Sequence, residues 1–307
     1  MGNLLLIGNN MQKTEVSLDE LINKSIFIIR ETKSRFKNPA VMWSTGKDST
    51  SMLALIRKAF YGDVPFPVIH LDTTYKFPEI YEFRDKISKE WNLNLIIGKN
   101  EEALKKGTSP EKISRFDCCN ALKTEALKII LEKYKFDALI MSIRHDEHYM
   151  RNLERYFSPR DKEFKWHILR NKTESEMKEG DAPFVSEQQP ELWNLYQTDF
   201  GLNCSHVRIH PMLLWTELDI WRFIKREKVP VNPLYFADYV EEKFGWKNRR
   251  FRSLGCMMCT KPVESNAKTI DEIIKELRIT DVEERSGRSQ DKESEEIMRK
   301  LRCLGYM

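Results

Sequence analysis

Six consecutive residues, Ser44-Thr45-Gly46-Lys47-Asp48-Ser49, bring together the groups that hold a phosphate. Apolar Pro39–Trp43 before them reads as a buried strand. Met52, Leu53, Leu55, Ile56 and Phe60 after them fall at helical spacing. A loop at that junction aims backbone N–H groups and the positive end of a helix dipole at one spot. Gly46 allows close backbone approach, Ser44, Thr45 and Ser49 add hydroxyls, and Lys47 adds a full charge. The loop is not a Walker sequence, because Val41 stands where the first glycine belongs and Asp48 follows the lysine. The bland alternative is an ordinary strand-to-helix turn.

Three further sets of residues could do chemistry. Asp72 closes the strand-like run Val68–Asp72, where it could take a ribose hydroxyl or the adenine amino group, or cap the next turn. Arg144, Arg151, Arg155 and Arg160 follow another strand. Arginine captures oxyanions bidentately, and about two of the four are expected to reach ligand, the others pairing with Asp146, Glu147 and Glu154. Cys118 and Cys119 are adjacent, and Cys256 and Cys259 form a C-x-x-C. Four thiolates in two close pairs suit tetrahedral zinc or an iron–sulfur cluster; buried, redox-labile thiols are the alternative. The His145, His148, His167 and His206 spacing matches no metal site, and no Ser-His-Asp set is visible.

The elements that must position these groups alternate. Residues 17–36 read as an opening helix with a Ser17/Glu20 capping box. Strands are expected at 39–43, 66–72, 93–97 and 138–142, with helices at 48–61, 78–91 and 120–134 between them. That alternation predicts an α/β fold, a parallel sheet with helices on both faces. Residues 151–195 read as long loops, 216–228 and 268–280 as helices, and the tail from 281 as charge-rich.

Composition excludes some classes. The 307 residues are 41% hydrophobic and 32% charged, with 51 basic residues against 47 acidic ones. An excess of four is too mild to imply nucleic acid, and it fits small anions in one basic pocket. No apolar run reaches the ~18 residues of a membrane span, and the N-terminus lacks a secretory pattern. A cytoplasmic protein is expected, in which six cysteines are not disulfides.

The loop resembles the pyrophosphate loop of the ATP pyrophosphatase (adenine nucleotide α-hydrolase) superfamily, usually S-G-G-x-D-S, with Thr45 in place of the commoner glycine. Further blocks resemble the sulfate adenylyltransferase small subunit: His70–Asp85, Leu122–Leu127, Ile143–Glu147 with Arg151, Glu154 and Arg155, Pro190–Tyr196, His210–Trp221, Pro233–Phe236 and Arg250–Cys256. The tail, Glu284–Arg288 to Gly305–Met307, is similar as well, with Met307 where Phe is usual. The likeness runs in order from about residue 17 to the end.

The resemblance implies that ATP and sulfate give adenylyl sulfate and pyrophosphate. Ser44, Thr45, Gly46, Lys47, Asp48, Ser49 and Asp72 would hold ATP with Mg2+, and Lys47, Arg144, Arg151 and Arg155 would be catalytic. It implies a nucleotide-binding core over 17–145, and a region 146–307 that completes the site and meets a partner. The partner would be a GTPase large subunit, since no GTP-binding motif occurs here. No membrane or nucleic-acid partner is expected. Cys118, Cys119, Cys256 and Cys259 resemble the [4Fe–4S] site of adenylyl sulfate reductases, with Zn2+ as the alternative, although ordinary small subunits lack the C-x-x-C. A reductase of adenylyl sulfate or PAPS is therefore a second reading. Its tail motif, Glu-Cys-Gly-[Leu/Ile]-His, is not matched by Arg302-Cys303-Leu304-Gly305. A tRNA- or DNA-thiolating enzyme of the same fold is a third reading.

Overall fold

The computed structural model describes residues 16–147, 151, 154–165, 204–280, 284 and 304. Helix α1 (Leu18–Arg35) opens on the expected capping box: Ser17 Oγ accepts from Glu20 N–H, and the Glu20 carboxylate accepts from Ser17 N–H. It is followed by β1 (Pro39–Met42), α2 (Lys47–Ala59), β2 (Val68–Leu71), α3 (Pro78–Glu90) and β3 (Leu95–Gly98). Next come α4 (Glu101–Lys105), α5 (Arg115–Cys119), α6 (Ala126–Tyr134), β4 (Ala138–Ile140), β5 (Phe157–Asp161) and β6 (Cys204–Ile209). The order closes with α7 (Glu217–Glu227), α8 (Ala237–Phe244), β7 (Arg249–Arg250), β8 (Val263–Glu264) and α9 (Ile270–Leu277).

Six strands form one sheet in the order β3-β2-β1-β4-β6-β5. All pairs are parallel except β5 with β6. The expected α/β fold is therefore present. Both β1 and β2 are buried on both faces, as apolar runs without alternation require. Two differences stand out. Residues 157–161 lie inside a stretch read as loop, yet form an edge strand with Pro159 exposed. β6 was not anticipated; Ser205 and His206 break its apolar pattern, and the sheet thus continues past residue 145. The remaining loop residues from 166, Pro190–Tyr196, and most of the tail lie outside the described residues.

The helix expected at 120–134 starts earlier and is not uniform. α5 contains both Cys118 and Cys119, a π-helical turn spans Asn120–Glu125, and α6 follows. β3 ends at Gly98, where an added Cβ would meet Ile130 Cγ1 and Leu71 Cδ2, each at 2.9 Å. A glycine there lets α6 lie close against the sheet.

The site-building feature is the topology around β1. β2 lies on one side of it and β4 on the other, so the chain leaves β1 toward one face and β4 toward the other. Such a switch point opens a crevice at the carboxyl ends of the strands. The segments after β1, β2 and β4 all start at that edge.

Candidate active site

The loop after β1 is held in a left-handed conformation at Thr45, with φ 67°. Gly46, the N-cap of α2, is extended at φ −72° and ψ 165°. The conformational demand thus falls on Thr45 rather than on the glycine. A Cβ at Gly46 would meet Ser44 Oγ at 3.4 Å and Tyr235 Oη at 3.5 Å, ordinary contacts. The hydroxyls of Ser44 and Ser49 are 3.1 Å apart. Lys47 N–H donates to Tyr235 Oη at 2.9 Å, so Tyr235 ties the start of α2 to the C-terminal region.

Lys47 is 1% exposed, and carboxylates surround its ammonium: Asp48 at 3.1 Å, Glu217 at 3.9 Å, and Glu284 in direct contact. Arg144, from the segment after β4, is fully buried. It meets Asp146 at 2.9 Å and also pairs with Asp48 and Glu284. Burial favours the neutral form of Glu284, but Lys47 and Arg144 hold its carboxyl well below the usual range. Glu217 moves the other way, raised by burial and by the nearby Glu284, although Arg252 donates to it from Nε at 2.9 Å.

These groups surround a cleft of about 1100 Å3, open mouth included. Ser44, Gly46, Asp48, Glu147, Arg151, Tyr235 and Glu284 line it, with Lys47 and Arg144 behind them. Arg151 pairs with Glu147 at this wall. Arg155 and Arg160 are not among its lining residues. The Arg155 carbonyl accepts from His210 Nδ1 at 2.7 Å, and Arg160 is buried against Glu154 at 3.0 Å. Asp72 is also absent from the lining. Its carboxylate accepts from Thr74 N–H at 2.8 Å, Tyr81 Oη at 2.9 Å and Lys99 Nζ at 3.1 Å. Burial opposes ionisation there, and the three donors together lower the Asp72 pKa. The Thr74 N–H contact is the turn cap that Asp72 could form.

Cys118, Cys119, Cys256 and Cys259 are buried and line one smaller cavity with Arg115 and Lys123. Burial, then Cys119, Cys256 and Cys259, push the Cys118 thiol up to about 12. Burial, then Cys256, raise Cys259. No group of three or more His, Cys, Asp or Glu among the described residues is arranged to hold a metal ion. Cys256 and Lys123 also line the larger cleft, so the two spaces adjoin. Cys204 lies apart, on β6.

The chain is similar to known proteins over most of its length. A family model described as the phosphoadenosine phosphosulfate reductase domain matches residues 38–262. Sulfate adenylyltransferase subunit 2 of Geotalea daltonii is 40% identical over 318 residues, 96% of this chain and 100% of that protein. The chain belongs to the sulfate adenylyltransferase subunit 2 family. The subunit 2 of Saccharophagus degradans is likewise 40% identical, over 94% of this chain and 97% of its own. Candida glabrata FMN adenylyltransferase in complex with ATP overlays with a TM-score of 0.51 at 17% identity. That overlay covers 94% of this chain and 83% of that chain, and it is a likeness of fold.

In this subunit-2 family member, sequence reasoning gave no function to Lys76, Glu217, Tyr235, Arg252 or Glu284. All five lie in blocks that resembled the family, yet nothing local announced their contacts. Each reaches the site over a long stretch of chain.

Proposed function

We propose that the chain activates sulfate: ATP and sulfate give adenylyl sulfate and pyrophosphate. The observation that carries this reading is the Ser44–Ser49 loop at one cleft, with Lys47 and Arg144 buried behind its lining, in a chain that matches subunit-2 relatives over nearly all its length. A sulfate oxygen attacks the α-phosphorus and forms an S–O–P anhydride. The bond from the α-phosphorus to the bridging oxygen breaks, and pyrophosphate leaves with the electron pair. Two anions must be brought together, so the protein's task is to fix cations and N–H groups where charge accumulates. Lys47, Arg144 and the start of α2 serve the phosphates, and Arg151 serves the cleft wall. Mg2+ would enter on the nucleotide, with Asp48 as the neighbouring carboxylate. The region after residue 145 completes the site through Glu217, Tyr235 and Glu284.

The product anhydride is high in energy, so the reaction needs coupling. A GTPase large subunit as partner, in the cytoplasm, is part of this reading. Among the described residues no helix is long and apolar enough to cross a membrane. The test is sulfate-dependent pyrophosphate release from ATP by the chain with its partner subunit, with and without GTP. Pyrophosphate release indifferent to sulfate would overturn the reading.

A [4Fe–4S] cluster at the four cysteines is part of this reading, with one zinc ion as the alternative. The support is that all four are buried around one shared cavity. Cys118, Cys119, Cys256 and Cys259 would hold the cluster, which would supply a fixed charge beside the cleft. Anaerobic purification with iron and sulfide analysis checks this. A colourless protein with stoichiometric zinc, or with no metal, would refute the cluster.

A further inference from the structure

We propose that Lys76 is the cation that holds sulfate for the transfer, and that His70 positions it. The inference rests on the sulfate-activating reading. β1 and β2 are neighbouring parallel strands, with Met42 opposite Ile69. The segments that leave them start at the same edge of the sheet, one strand spacing apart. The first carries the phosphate loop, and the second carries Lys76.

His70 is fully buried on β2. Its Nδ1 lies 3.0 Å from the Trp43 carbonyl, which can only accept, so Nδ1 carries the hydrogen. Nε2 is then a bare acceptor, and Lys76 Nζ donates to it at 3.1 Å. A neutral imidazole fixes the ammonium without neutralising it. Two of its three N–H groups remain for another acceptor. Lys76 lines the cleft, together with Ser44, Gly46 and Asp48 of the phosphate loop.

The other cations at or behind this cleft differ. Lys47, Arg144 and Arg151 each pair with carboxylates, and Lys123 lies where the cleft adjoins the cysteine cavity. Among the described residues Lys76 makes no salt bridge. A sequestered ammonium at a cleft wall is best satisfied by an anion, and a compact point charge suits a small tetrahedral oxyanion. Assigning sulfate to Lys76 also leaves Lys47 and Arg144 to the nucleotide, so the two anions do not compete for one cation.

One rival anion exists. Lys76 forms a backbone bridge with Cys256, so a metal-bound thiolate could be its partner instead. The experiment therefore reads sulfate kinetics and metal content together. The chain, with its partner subunit, is assayed for pyrophosphate release as wild type, Lys76→Met and Lys76→Arg, with sulfate and ATP varied separately. Lys76→Met is expected to raise the KM for sulfate about ten- to hundredfold while the KM for ATP stays within about twofold. Lys76→Arg should recover part of the loss. Thermal melts with added sulfate should show stabilisation in wild type and none in Lys76→Met. Unchanged sulfate KM, a rise confined to ATP, or a loss of iron with sulfate kinetics intact would each overturn the proposal. If Lys76→Met does not fold, Lys76→Gln and Lys76→Arg carry the same comparison. A wild-type protein without sulfate-dependent activity would instead sink the functional reading beneath it.

Discussion

Lys47, at the start of the helix after the first strand, is ion-paired to Glu284, 237 residues further along the chain. Arg144 pairs with the same carboxylate. One acidic side chain thus engages both cations that the nucleotide phosphates need. Phosphate binding must displace it or share those cations with it.

Replacing Glu284 should therefore tighten nucleotide binding. Glu284→Gln keeps the size and removes the charge. The apparent Kd for ATP is expected to fall about fivefold, because the cations no longer have to be released first. Titration calorimetry at neutral pH measures it. An unchanged or weaker Kd would show that Glu284 does not compete with phosphate.

Lys47→Ala should lose more than activity. The ammonium is buried among Asp48, Glu217 and Glu284. Its removal leaves buried carboxylates unpaired, at about 3 kcal/mol of stability. Pyrophosphate release should drop at least ~100-fold. Adding Glu284→Gln should restore the melting temperature but not the turnover. Recovery of both would separate Lys47 from the chemistry.

Acid should destabilise the protein through its buried histidines. His70, His206 and His210 are buried, and burial is the first cause that lowers each pKa, that of His210 to about 4. In the unfolded chain these imidazoles charge near pH ~6.5. The unfolded state thus binds more protons below about 6.5, for His210 down to about 4. Stability should fall as pH drops through that window, by up to about 1.4 kcal/mol per pH unit for each histidine. Urea titrations from pH 7 to 4.5 test this, and a flat profile would contradict it.

Thr45→Gly should stabilise the fold slightly. A left-handed non-glycine residue costs about 1–2 kcal/mol, and glycine returns about 0.5–1 of that as unfolded-state entropy. The expected net gain is about 0.5–1 kcal/mol, read from thermal melts of the ligand-free protein. A lower melting temperature would mean that the threonine hydroxyl, which donates to the Ser44 carbonyl at 2.5 Å, outweighs the strain.

Local sequence carried the elements whose signals are local. Apolar Val68–Leu71 and the capping box at Ser17 need no knowledge of the rest of the chain. The left-handed Thr45 is not legible locally, because glycine is the residue that takes positive φ most readily and Gly46 stands beside it. β5 was hidden because Phe157–Asp161 carries a proline and charges, which only an edge position tolerates. The site was legible as a list of residues and illegible as a set of partners. Nothing near Asp72 announces Lys99 and Tyr81, and nothing near Arg160 announces its buried pairing with Glu154.

The π-helical turn at Asn120–Glu125 separates two demands on one stretch of chain. Before it, Cys118 and Cys119 face the small cavity; after it, Ala126, Leu127, Ile130 and Leu131 are buried in the main core. Each residue of an α-helix advances the direction of its side chains by about 100°. Losing one residue from this turn would rotate the cysteines by that angle relative to the core-facing half, whichever residue was lost. The segment is therefore a phase setting: substitutions within it change side chains, whereas a change in its length re-aims a whole helix. Length here is as much a part of the cysteine site as the cysteines are.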